Sequence, residues 1–136
     1  MISPDQPLQD EEFKYTAGTC NIGPNEIRRR QLVATFGVFF TISALFTFHT
    51  QHVHGFSRFS IFFPALVFAI GYLQMRRKFC MAYGLAGTFN MGKMGSISKV
   101  QSAEDRATDR KTAIRILYQA VLIAAGIAIV ALLLPI

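Results

Sequence analysis

Tryptophan is absent from this 136-residue sequence, cysteine occurs twice, histidine three times, and only 16% of the residues are charged. Each shortage excludes something. Without an indole belt, Tyr or Arg/Lys must mark any membrane–water boundary. Cys20 and Cys80 lack Cys-x-x-Cys spacing, which argues against a cysteine-rich zinc site or a disulfide scaffold. A soluble domain of this length carries nearer a quarter charged residues, and here the deficit is uneven. Leu32–Phe48, Phe59–Met75 and Ile116–Ile136 contain no Asp, Glu, Lys or Arg at all.

Those three runs are the strongest positive feature. About 20 residues of helix cross a typical hydrocarbon core, so the third run is long enough outright and the first two become so with their flanks. None shows the polar face of a soluble amphipathic helix. Thr35, Thr41, Ser43 and Thr47 fit a buried helix because their hydroxyls can bond the preceding turn. Pro64 should kink the second helix without abolishing it. The expected fold is all-α: three membrane-spanning helices with an interfacial, Gly/Met/Phe-rich cytoplasmic segment. Residues 1–25 read as a polar flexible tail, 26–75 as a transmembrane hairpin, and 76–101 as a cytoplasmic or interfacial segment. Residues 102–136 read as a charged helical stem continuing into the third span.

The net charge of +6 is placed beside the runs. Arg28, Arg29 and Arg30 precede the first, Arg76, Arg77 and Lys78 follow the second, and Lys111 and Arg115 precede the third. Three crossings put all of these on one side and leave Arg58 alone on the other. The positive-inside rule then predicts a cytoplasmic N-terminus and an external C-terminus. No apolar h-region precedes the first run, so it is expected to be a retained anchor. The chain resembles small bacterial multi-pass proteins in general character, which suggests a bacterial cell membrane but supplies no functional position. Basic groups beside apolar runs fit anionic lipid headgroups, and no nucleic-acid-reading motif accompanies them.

The connecting pieces hold the candidate chemistry. Asn25 is a plausible N-cap for the first helix, with Glu26 in its first turn. The loop after the first run contains His49, His52 and His54, which are metal-ligand types, but no one regular conformation presents all three. Cys20 and Cys80 fall on the same predicted side near basic clusters. A neighbouring arginine would lower a thiol pKa, so with the histidines they are weak candidates for a metal or redox site. The segment 79–98 is apolar and glycine-rich. Gly84-x-x-Gly87 and Gly92-Lys93-Met94-Gly95 match no nucleotide-binding pattern, so no cofactor is expected. Ser102 with Glu104 and Asp105 starts a helix, whose like-charged i,i+4 pairs suggest a solvated stem.

Ala120, Ala124 and Ala128 line one face of the third run, and Ala65 and Ala69 repeat that spacing in the second. Small residues let helices approach closely in lipid, and this face can pack the chain's own helices or another protein. No Asp, Glu, Lys, Arg or His lies within a run, which argues against a proton relay or ion path in one copy. The balance falls against an enzyme. The favoured reading is an accessory or structural subunit in contact with membrane lipids and with a membrane partner or a second copy. The alternatives are a small transporter or channel subunit that forms a path on oligomerisation, and a cysteine- or histidine-based metal or redox protein.

Overall fold

The computed structural model describes residues 14–92 and 97–135. The N-terminal part of the expected tail and the Lys93–Met94–Gly95 part of the glycine segment lie outside the described residues. In chain order the elements are α1 (Pro24–Thr50), a 3-10 helix (Gly55–Ile61), α2 (Phe62–Arg77), α3 (Met81–Ala86), β1 (Thr88–Phe89), β2 (Ser98–Lys99) and α4 (Ala103–Leu133). The fold is all-α. Three helical stretches, Pro24–Thr50, Gly55–Arg77 and Ala103–Leu133, are long and apolar enough to cross a membrane.

Helix boundaries follow local chemistry. α1 begins at Pro24, whose fixed φ and missing N–H suit the first helical position, and the Ile27 N–H donates to the Gly23 carbonyl. Gly23 therefore precedes the helix, and Asn25 lies exposed inside its first turn rather than capping it. At the other end, Val53 N–H bonds Phe48 O and His52 N–H bonds His49 O, with His52 at φ 53°. That is a Schellman ending, completed by Val53 packing near Phe48. α2 ends the same way: Phe79 N–H reaches Gln74 O, Lys78 N–H reaches Met75 O, and Lys78 has φ 55°. Pro64 is the third residue of α2, directly after the 3-10 helix Gly55–Ile61, and as proline it donates no N–H to the preceding turn. The helix continues through it, and the irregular stretch lies just ahead of it in the 3-10 turn.

By its internal packing the chain divides into two compact units. One holds residues 30–73 and 116–135, the other 14–29 and 74–115. The divisions fall beside Arg28–Arg30, Arg76–Lys78 and Arg115, the basic groups that the sequence places at membrane edges.

The unit of residues 30–73 and 116–135 has small residues inside and large apolar residues outside. Ala34, Ala65, Ala69, Ala120, Ala124, Ala128 and Ala131 are buried, whereas Phe36, Phe39, Phe46 and Phe63 are each at least 60% exposed. In water this would be costly. In lipid, where apolar association has no hydrophobic drive, close packing of small residues holds helices together. Two glycines make the closest approaches. A side chain at Gly37 would collide with the Phe68 backbone, and a Cβ at Gly71 would sit 2.7 Å from Ala34 N. Phe48, Ile61, Ala128 and Ala131 form a small core at one end of this unit. Beside it, Phe56, Phe59 and Phe62 stack at centroid spacings of 5.5 and 5.6 Å, as the i,i+3 register of a 3-10 helix brings side chains into line.

The unit of residues 14–29 and 74–115 is a compact fold of short elements. This unit holds α3 and the antiparallel pair β1–β2, with Thr88 opposite Lys99 and Phe89 opposite Ser98. Gly87, at φ 72°, ends α3 by donating to Tyr83 O. Residues 14–23, taken from the sequence as tail, make a turn at Thr16–Cys20 and a parallel bridge from Ile22 to Asn90. Cys20, Asn21, Ile22 and Phe79 are buried. The difference from the flexible expectation comes from hydrogen bonds to distant residues, which composition does not reveal.

Candidate functional site

Two places concentrate groups that could act, one in each unit. In the unit of residues 14–29 and 74–115, Asn21 ties two segments together through its buried amide. Its Oδ1 accepts from Cys80 N–H at 2.6 Å and its Nδ2 donates to Cys80 O at 3.1 Å. The Asn21 N–H donates to Lys78 O, and Asn90 N–H donates to Asn21 O. Gln74 Oε1 accepts the Met81 N–H at 2.8 Å, serving a first-turn donor of α3.

A second joint centres on Asp109, which is fully buried. Tyr15 Oη donates to one carboxylate oxygen and Gly18 N–H to the other, both at 2.7 Å, while Thr112 Oγ1 donates to Gly18 O at 2.9 Å. The acid read from spacing as part of a solvated stem is therefore an anchor for the N-terminal segment. Burial, reinforced by the Asp109 carboxylate, pushes the Tyr15 hydroxyl well above the usual tyrosine range. Tyr83 Oη reaches buried Glu26 at 3.3 Å. Burial and that carboxylate raise the Tyr83 pKa, with Asn90 opposing.

Cys20 and Cys80 are both buried, and neither is in a disulfide. The segments that carry them meet through Asn21. Burial pushes the Cys20 thiol up against the smaller opposing effect of Lys78, so it stays protonated at neutral pH. The activation anticipated from neighbouring basic residues is outweighed at Cys20. Protonated thiols and protonated phenols hold structure; they are poor nucleophiles and poor metal ligands. Of the histidines, His49 is exposed in the last turn of α1, His52 supplies the left-handed residue of the Schellman ending, and His54 is extended and exposed. Among the described residues, no three His, Cys, Asp or Glu side chains are grouped to hold a metal ion.

In the unit of residues 30–73 and 116–135, the five alanines singled out from spacing, Ala65, Ala69, Ala120, Ala124 and Ala128, are all fully buried within the chain. They pack its own helices and present no surface. Gly126, in α4, is open: an added Cβ there would meet nothing within 4 Å. It lines an apolar groove of about 420 Å3 with Leu45, Leu122, Ile123, Ile127, Val130, Ala131 and Leu134. Thr35 and Thr41 donate to Gln31 O and Gly37 O of their own helix, at 2.9 and 2.7 Å, which spends their hydroxyls locally.

Arg58, read from sequence as the lone charge on its side, is buried. Its Nε donates to Val53 O at 2.8 Å, and its Nη1 donates to Ala131 O at 3.1 Å and Leu134 O at 2.7 Å. The guanidinium thus caps the C-terminal carbonyls of α4 at the negative end of the helix dipole. Of the basic residues at the predicted membrane edge, Arg28, Arg29, Arg76 and Arg115 are exposed and Arg30, Arg77 and Lys78 half-buried.

No protein-family model, no curated protein and no solved structure matches this chain.

Proposed function

We propose that this chain is a non-enzymatic accessory subunit of a membrane assembly, crossing the bilayer three times and receiving a helix of a membrane partner in the groove at Gly126. The observation that carries this reading is the pairing of an apolar groove with an open glycine in the longest apolar helix. In lipid, a glycine with free space beside it permits close approach of another backbone. Gly126 is exposed with free space beside it, which leaves it open to an outside helix. The proposed placement is a bacterial cell membrane with residues 14–29 and 74–115 on the cytoplasmic side, supported by the basic residues gathered there.

The test is gentle detergent extraction of the native protein followed by native mass spectrometry, with Gly126→Leu alongside the natural chain. A fixed-stoichiometry complex with another membrane protein, lost in Gly126→Leu while the variant stays folded, supports the proposal. A lone chain in both preparations, or a complex indifferent to Gly126→Leu, removes the groove from the argument. A homo-oligomer lost in Gly126→Leu would replace the partner helix with a second copy.

A further inference from the structure

The first two turns of α4 sort their charges onto two faces. Asp105 and Asp109 are four residues apart, and so are Arg106 and Arg110, each a like-charge pair that costs stability unless something compensates it. The acidic pair is turned towards the N-terminal segment, where Tyr15 and Gly18 donate to Asp109 and Asp105 lies near enough to act on the Tyr15 hydroxyl. The basic pair lines a cleft of about 210 Å3 with Gly84, Leu85, Ala86, Gly87, Ala103 and Ala107. Among the described residues, no carboxylate lines that cleft.

Arg106 is held in place there. Its Nη1 donates to Val100 O at 2.8 Å and Gln101 O at 3.1 Å. Its stem crosses Gly87, where a Cβ would come within 2.8 Å of Arg106 Cδ. The glycine thus serves two ends, the left-handed turn after α3 and clearance for the arginine. Arg110, one helical turn further on, is exposed and makes no hydrogen bond or ion pair among the described residues. The cleft therefore combines one fixed guanidinium, one uncommitted guanidinium and room for a small oxyanion. Guanidinium forks match the oxygens of a phosphate and strengthen when two converge on one group.

We propose that the Arg106–Arg110 cleft binds a phosphate group, carried either by an anionic lipid headgroup or by a free phosphate. The site is independent of the Gly126 groove and stands or falls separately from the accessory-subunit reading.

The experiment uses the full chain purified in an uncharged detergent, titrated with inorganic phosphate. It is then presented with phosphatidylcholine vesicles with and without phosphatidic acid. Three variants accompany it. Arg110→Gln removes the uncommitted charge from an exposed position. Lys111→Gln makes the same charge change one residue away, outside the cleft lining. Ala107→Leu fills the cleft without altering charge. Binding weakened about tenfold or more by Arg110→Gln and by Ala107→Leu, but little changed by Lys111→Gln, is the expected result. If inorganic phosphate shows this pattern, a free phosphate suffices; if only phosphatidic acid vesicles show it, the source is a lipid. Equal losses for Arg110→Gln and Lys111→Gln would reveal diffuse attraction to a basic surface and overturn the site. So would failure of the natural chain to bind either probe.

Discussion

His52 occupies a backbone position that costs a side chain something. At φ 53° it is in the left-handed region, where glycine carries no Cβ penalty and histidine is only tolerated. Its imidazole is exposed, so its backbone conformation is what the fold uses. His52→Gly is expected to stabilise the chain by about 0.5–1 kcal/mol, since relief of the left-handed strain outweighs the added freedom of the unfolded chain. Thermal unfolding in detergent would measure it, and a lower transition temperature would show that the ring makes contacts that matter.

Tyr15, Tyr83 and Cys20 supply a pH dependence with a definite sign. All three have pKa values raised by burial above ordinary values of 10.0, 10.0 and 9.0. A group whose folded pKa is raised contributes its full stability below its unfolded pKa. That contribution falls as pH rises from there towards the folded value. These three therefore add no slope near neutrality and a progressive loss above about pH 9, the thiol first and the phenols next. Tyr15→Phe combined with Tyr83→Phe should flatten the upper part of that loss. Unfolding followed from pH 7 to 11 would check it, and an unchanged alkaline slope in the double variant would assign the loss to other groups.

At the scale of elements, the spans were readable because length and missing charge are properties of contiguous sequence. What sets their packing was less so. The alanine stripe was visible from its spacing, and the structure uses it inside the chain. Gly37 and Gly71 gave no such signal, because a glycine in an apolar run does not reveal that Phe68 or Ala34 lies against it. Their importance is testable: Gly71→Leu must displace backbone rather than a flexible side chain. Overpacking of that kind costs about 1–3 kcal/mol or more. Crosslinking between cysteines introduced on α1 and α2 would report the separation, with Gly126→Leu as a control that adds the same side chain in open space. Equal effects at the two positions would mean the Gly71 contact is readily accommodated. The termini of the elements were partly legible in the same sense. The Ser102–Asp105 start carries a local signature, the start of α1 at Pro24 falls ahead of the Asn25 cap expected there, and capping of α4 by Arg58 joins residues 73 and 76 apart in sequence and has no local signature.

Across the whole molecule, the two units are held by different chemistry, and this determines which of them sequence reasoning could see. The unit of residues 30–73 and 116–135 relies on apolar composition and small-residue packing, both encoded in local pattern. The unit of residues 14–29 and 74–115 relies on single polar groups whose partners are remote: Asp109 with Tyr15 and Gly18, and Asn21 with Cys80. Read one residue at a time, Asp109 is a stem charge and Asn21 part of a polar tail. Only their partners turn them into joints. Removing one joint should therefore loosen one unit. Asn21→Ala leaves Cys80 N–H and C=O without their side-chain partners in a buried setting, a loss of about 1–3 kcal/mol for each unsatisfied group. Hydrogen exchange should then quicken across residues 14–23 and 78–90 while amides of the 36–47 and 120–130 helix segments keep their protection, because those are satisfied within their own helices. Slowed or unchanged exchange at 78–90 would mean the Ile22–Asn90 pairing holds the segment without the amide. Loss of protection in the helix segments as well would show that the membrane helices depend on this hydrogen-bonded joint.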